Sequence, residues 1–101
     1  MADLLTAYAH GKGRQPESYI RDAIRAYLRA HGWFVVRMQQ GLGCHRGIAD
    51  LCAMRDGRTV WIEAKTATGK QSDYQAEFER CVLAAGGEYR LARDIEDVAD
   101  L

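Results

Sequence analysis

The stretch Gly47-Ile48-Ala49-Asp50-Leu51-Cys52-Ala53-Met54-Arg55-Asp56-Gly57-Arg58-Thr59-Val60-Trp61-Ile62-Glu63-Ala64-Lys65 decides the fold. Asp56-Gly57 is a strong two-residue hairpin signal, and the residues on both sides of it are strand formers. With the turn placed there, Arg55 pairs with Arg58. Equal steps back along both strands then set Asp50 directly opposite Glu63, with Cβ atoms roughly 4.5–5.5 Å apart. Alternation sorts the side chains onto two faces. One face carries Ala49, Leu51, Ala53, Val60, Ile62 and Ala64, all apolar, and the other carries Asp50, Cys52, Met54, Trp61, Glu63 and Lys65.

Two carboxylates on one rung repel, and like charges directly opposite destabilise a sheet. Lys65, two residues beyond Glu63 on the same face, neutralises part of that repulsion. A divalent cation bridging the two carboxylates would offset more of it, and hard cations such as magnesium choose oxygen ligands. Two acids and a lysine around such an ion form a site for hydrolysing a phosphodiester. The metal activates a water and polarises the phosphate, while the lysine stabilises developing negative charge or positions the water. The plain alternative is a surface hairpin carrying an ordinary charge pair.

Length and composition bound the reading. A chain of 101 residues is one domain, and 48% hydrophobic residues suffice for a packed core. A core this small gains from an oligomeric partner. The formal net charge is zero, so whole-chain charge lends no support to nucleic-acid binding. The distribution is less neutral. Residues 10–46 carry seven basic residues (Lys12, Arg14, Arg21, Arg25, Arg29, Arg37, Arg46) against Glu17 and Asp22, while 47–101 carry seven against eleven acids. A basic first half is compatible with a phosphate-facing surface. Arg21, Arg25 and Arg29 read more simply as solvating the outer face of a helix. Cys44, Cys52 and Cys81 are odd in number and lack C-x-x-C spacing, which argues against a disulfide framework and a zinc site and fits a reducing cytoplasm. No signal peptide and no apolar run long enough to span a bilayer is present.

In chain order, residues 2–9 suit a short helix, and 10–15 read as a linker or flexible arm. Pro16 sits at a first helical position. Ile20, Ala23, Ile24, Tyr27 and Leu28 then form the inward stripe of a helix over 17–31, ended by Gly32. Glu17 projects from the start of that stripe, although an acid in a first turn also complements the helix dipole. Residues 33–38 form a strand of nearly continuous apolar character, expected to be buried on both faces. A loop with three glycines spans 39–47, and in it His45 and Arg46 stand just before the Asp50 strand, placed to touch a phosphate or to be solvated. After the hairpin comes a polar turn, 66–71. Ser72 and Gln75 match a capping box, which is by itself a sufficient structural reason for Gln75. Tyr74, Phe78, Cys81, Val82 and Ala85 are the expected buried stripe of that helix, and Gly86-Gly87 stops it. Residues 88–92 form a short strand, and 94–101 a short acidic helix with Ile95, Val98 and Leu101 on its apolar side. A strand–helix–strand unit implies a parallel neighbour reached by a right-handed crossover. The order is αβββαβα, an α/β fold with a mixed sheet flanked by helices.

An acid at the head of the first helix, Gly47-x-x-Asp50, Glu63-x-Lys65 on the next strand, a Ser72-x-x-Gln75 helix start and a Gly86-Gly87 end together resemble the virus-type replication-repair nuclease domain (VRR-NUC) of the PD-(D/E)xK nuclease superfamily. The resemblance covers residues 17–101 and leaves 1–16 as an N-terminal extension. It implies a restriction-endonuclease-like core and a Mg2+ or Mn2+ ion held by Asp50, Glu63 and the backbone carbonyl of Ala64, with Glu17 supplementing the shell directly or through water. It further implies that Lys65 orients the attacking water or stabilises the pentavalent phosphate, and that Gln75 positions Lys65 or the water. Ala49 departs from the proline that often precedes the metal aspartate, but proline is not a ligand. Lys12, Arg14, Arg46 and Lys70 are candidate phosphate contacts.

The expected function is a metal-dependent DNA endonuclease acting on branched DNA such as Holliday junctions. The alternatives are a flap- or restriction-type nuclease with the same site, and a catalytically silent DNA-binding subunit of the same fold. The resemblance and the small size both point to a homodimer. Its interface would draw on Leu4, Leu5 and Tyr8 or on the final helix. A cytoplasmic protein of viral or bacterial origin is expected, with no membrane partner.

Overall fold

The computed structural model describes residues 15–101. The first helix, α1 (Glu17–Ala30), buries Ile20, Ala23, Ile24 and Leu28, the spacing of one helical face. Pro16 is its N-cap rather than its first helical residue, with φ −65° and ψ 158°. A proline has no side-chain acceptor to cap with. Its carbonyl instead accepts from the amides of Tyr19 and Ile20. Gly32, at φ +87°, turns the chain into strand β1 (Phe34–Arg37).

Strands β2 (Leu51–Arg55) and β3 (Arg58–Ala64) form the hairpin. Asp56 and Gly57 have φ of 52° and 78°, the left-handed pair that a type I′ turn requires. The register is the one the turn dictates, from Arg55 opposite Arg58 to Leu51 opposite Ile62. A second helix, α2 (Asp73–Ala84), carries the chain to β4 (Glu88–Ala92), which lies parallel to β3. The sheet order is β1-β2-β3-β4, with the first two pairings antiparallel. A 3-10 turn at Ile95–Val98 closes the described chain.

The main core lies between α1, the 3-10 turn and one face of the sheet, where Ile24, Leu28, Leu51, Ala53, Val60, Ile62, Ala92 and Val98 are fully buried. A smaller cluster of Phe78, Tyr89 and Ala49, with Trp61 and Val82 against it, lies under α2.

Several expectations need correction. The segment 33–38 is not a strand buried on both faces. Its four-residue strand is an edge, and Phe34 is 65% exposed. A helix linking β3 to the adjacent β4 covers that half of the sheet, so among the described residues no element overlies the outer face of β1. Ala49 does not share the face of Leu51. The strand begins at Leu51, alternation does not extend upstream of it, and Ala49 packs in the α2 cluster. Tyr74, Cys81 and Ala85 are exposed, leaving Phe78 as the buried residue of α2. The expected final helix is the 3-10 turn, although Ile95 and Val98 are buried as anticipated. Asp94 starts that turn by accepting from the amide of Asp97.

Candidate metal centre

Three elements bring carboxylates together at one end of the sheet. Asp50 stands one residue beyond the β2 ladder. Its carbonyl accepts from Met38 N at 2.8 Å, and its side-chain Oδ2 accepts from Ala64 N at 2.8 Å. The carboxylate thus takes the backbone donor that a further ladder rung would have used. Glu63 lies opposite, at the end of β3, and is fully buried. Glu17, in the first turn of α1, reaches in from the rim with its side chain 45% exposed. One oxygen from each of Glu17, Asp50 and Glu63 lies within 4.8 Å of the others.

Lys65 is the counter-charge, with Nζ 3.7 Å from Glu17 Oε2 and 3.8 Å from Glu63 Oε2. Gln75 does two jobs at once. Its Oε1 accepts from Ser72 N at 2.8 Å, while the Ser72 hydroxyl accepts from Gln75 N at 3.1 Å, completing the capping box. With its oxygen committed there, its amide nitrogen is left to donate to Glu63 Oε2 at 2.9 Å. The local helix-start motif therefore aims a donor at the site.

Gly47 explains how α2 comes so close. At φ +76°, a Cβ on this residue would lie 2.1 Å from Tyr74 O and 2.7 Å from Gln75 N. Only glycine lets the loop before Asp50 touch the first turn of α2.

The electrostatics are set by burial. Desolvation pushes the Glu63 carboxyl up to about 8. The neighbouring Asp50 carboxylate adds to the shift and Lys65 offsets part of it. Glu63 Oε1 is also buried without a hydrogen-bond partner. A buried carboxylate oxygen left unpartnered is costly, and here it sits among two further carboxylates. The residues fit a hard divalent cation: the donors are all oxygen, they converge, and one of them lacks any other partner.

The remaining sequence candidates are dispersed. The Arg46 guanidinium stacks over the Tyr74 ring at 4.7 Å and donates to the Tyr74 hydroxyl. His45 packs its ring against Phe78, with centroids 5.6 Å apart. Lys70 is exposed on the turn after β3. Lys12, Arg14, Leu4, Leu5 and Tyr8 lie outside the described residues, as does the helix expected at 2–9. Two participants escaped the sequence reading. Tyr74, expected to be buried, instead holds Arg46 at the lip. Arg93 donates to the carbonyls of Thr66 at 2.6 Å and Gly69 at 2.7 Å, tying down the loop that follows Lys65. No local pattern marks Arg93, because parallel pairing of β4 with β3 is what brings it there.

Among the described residues no helix is long and apolar enough to cross a membrane. No curated protein matches the chain. The archaeal Holliday junction resolvase family (Hjc) matches residues 10–80, a span that contains Glu17, Asp50, Glu63, Lys65 and Gln75. Since that span exceeds half of the sequence, the chain belongs to the archaeal Holliday junction resolvase family, a family of PD-(D/E)xK-type nucleases.

Proposed function

We propose that this protein is a Mg2+- or Mn2+-dependent endonuclease that cuts branched DNA, four-way junctions first among them, and does so as a homodimer. The observation that carries this reading is the buried Glu63, salt-bridged to Lys65 through one oxygen and unpartnered at the other, beside Asp50 and Glu17. An apolar core has no use for such a group, and a fold alone does not require it. The finer resemblance to VRR-NUC domains, and the division into an extension (1–16) and a nuclease domain (17–101), belong to the same reading, as does a cytoplasmic location.

In this reading Asp50 and Glu63 hold the ion, with the Ala64 carbonyl and Glu17 completing the protein's share of the shell. A divalent ion supplies Lewis acidity toward a phosphate and a more acidic water. The chain's own groups do the positioning. Asp50 is fixed by the Ala64 amide, and Glu63 by Gln75, so neither carboxylate must reorganise as charge develops. Lys65 presents positive charge to a phosphate drawn to the cluster, and the exposed Arg46 and Lys70 add backbone contacts, together with Lys12 and Arg14 of the extension. Two copies related by a two-fold axis double a small footprint and offer two sites to two strands, matching the symmetry of a junction.

The test is cleavage of strand-labelled four-way, flap and linear DNAs with Mg2+ or Mn2+, alongside light scattering and calorimetry. Paired cuts in the junction by a dimer support the reading. Lys65→Met should retain metal binding and lose most cleavage. A monomer that cuts flaps and spares junctions assigns the flap-type activity instead, and no cleavage of any DNA assigns a silent subunit.

A further inference from the structure

A pocket of roughly 540 Å³ lies beside the C-terminal half of α1, and none of its lining residues belongs to the acidic cluster. It is lined by Arg25 and Arg29 from the last turns of α1 and by Gly32, Trp33, Phe34 and Val35 where β1 begins. Glu17 opens the same helix, and about 12 to 18 Å of it, at 1.5 Å per residue, separates these arginines from that carboxylate. We propose that this pocket is a second, non-catalytic contact for the phosphodiester backbone of bound DNA, gripping an arm away from the cut. The proposal rests on the nuclease reading above and extends it.

Three observations carry it. First, charge is segregated. Residues 23–37 hold three arginines (Arg25, Arg29, Arg37) and no acid, so the edge strand and the C-terminal half of α1 are cationic in a chain of zero net charge. Arg55 and Arg58 stack over Trp33 from the hairpin, at 4.7 and 5.8 Å from the ring centroid. Second, the pocket arginines are uncommitted. Arg58 is paired bidentately with Glu88, but among the described residues Arg25 and Arg29 have no acidic partner. Arg25 is not the plain solvated residue the sequence implied, since its Nε is buried and lacks an acceptor. The helix dipole accounts for Arg29 by itself, but not for a buried, unpartnered guanidinium nitrogen one turn earlier. Third, Phe34, which lines the pocket at the edge strand, stands 65% exposed, its ring on the sheet face opposite α1 and next to Met54 on the adjoining strand. A cationic groove rimmed by an exposed apolar strand edge suits a duplex arm, with the arginines on phosphate oxygens and the ring against the sugar edge.

A second copy of the chain is the rival occupant, and its acidic end is poorly suited. Asp100 is held bidentately by Arg90, and Asp97 caps the Arg93 amide. A phosphodiester chain brings uncommitted negative charge.

The experiment measures binding of a fluorescein-labelled four-way junction to the full chain by anisotropy in EDTA, across a salt series. Arg29→Glu and Phe34→Ala are compared with Arg80→Glu, the same charge change as the first on the exposed face of α2. Arg29→Glu should weaken binding about tenfold or more and lower the salt slope by about one. Phe34→Ala should weaken binding with the slope retained, and Arg80→Glu should match the parent. Mn2+ affinity by calorimetry should be unchanged in all three. Parent-like affinity and slope in both pocket variants overturns the proposal, as does an equal loss in Arg80→Glu. A change of oligomeric mass in the pocket variants also overturns it and assigns the pocket to a protein contact. If the parent cuts and binds junctions while the pocket variants do so equally, this proposal alone fails. If the parent binds no DNA, the nuclease reading fails with it.

Discussion

The two faces of the sheet are put to different uses. The α1 face is held by burial: Ile20, Ala23, Ile24 and Leu28 are all at most 2% exposed and meet an apolar sheet surface. The α2 face buries a single helix residue, Phe78, against Trp61 and Tyr89, and leaves Tyr74 and Leu83 more than half exposed. What fixes α2 is polar and close-range. Gln75 bonds to Glu63, and Gly47 abuts the first turn. One helix anchors the fold, and the other completes a site. A polar site under a helix cannot also be a large apolar core, because the groups that do chemistry must stay near water and ligand. The stability of the molecule is therefore concentrated on the face that carries less of the candidate site.

The sharpest way to break this contrast is to exchange damage between the faces. Asp50→Asn should abolish metal-dependent cleavage while leaving the melting temperature unchanged or higher. The amide oxygen can still accept from Ala64 N, and one repelling charge is gone. Ile24→Ala should do the reverse, costing about 2–5 kcal/mol of stability as a cavity opens under α1. The molecules that remain folded should still cut. Denaturant unfolding beside a cleavage assay reads both, and destabilisation by Asp50→Asn with cleavage intact would contradict the assignment.

Next in size is a pH effect confined to the site. Glu63 titrates at about 8 in the fold against an ordinary value of 4.5. Between those values the unfolded chain releases a proton that the folded chain keeps. Metal-free stability should therefore fall as pH rises from about 5 to 8, on the order of 1 kcal/mol per pH unit, and level off above 8. Below the lower value the penalty disappears. Thermal melts in EDTA should show this slope in the parent and lose it in Glu63→Gln. Saturating Mn2+ should reverse it, because the ion takes the place of the proton. A flat parent profile in EDTA would show that folding does not raise the Glu63 carboxyl.

Gly47→Ala tests the close approach of α2. Its methyl would meet the Tyr74 carbonyl at a backbone angle that side chains rarely adopt, for a loss of about 1–3 kcal/mol. Gln75 should move off Glu63 as a result, so calorimetry should show weaker metal binding as well. The smallest effect belongs to Leu83→Ala on the exposed side of α2, within about 0.5 kcal/mol in urea unfolding. A loss of 2 kcal/mol there would mean that α2 is covered in solution and is an interface.

What could be read from the sequence was what neighbours in sequence decide. Asp56-Gly57 admits a type I′ turn, the turn sets the hairpin register, and the register puts Asp50 beside Glu63. Ser72 and Gln75 close their capping box within one turn, and the Ile20–Leu28 stripe shows which side of α1 is buried. Periodicity reports the face of an element but not what lies over it. Tertiary structure alone decided that β1 is an edge, that Ala49 turns toward α2, and that α2 covers little. It alone carried Glu17 to within 3.7 Å of Lys65, laid Gly47 against Tyr74, and brought Arg93 to the loop after Lys65. Each of these depends on where a strand or helix from a distant part of the chain comes to rest, and no window of local sequence contains that information.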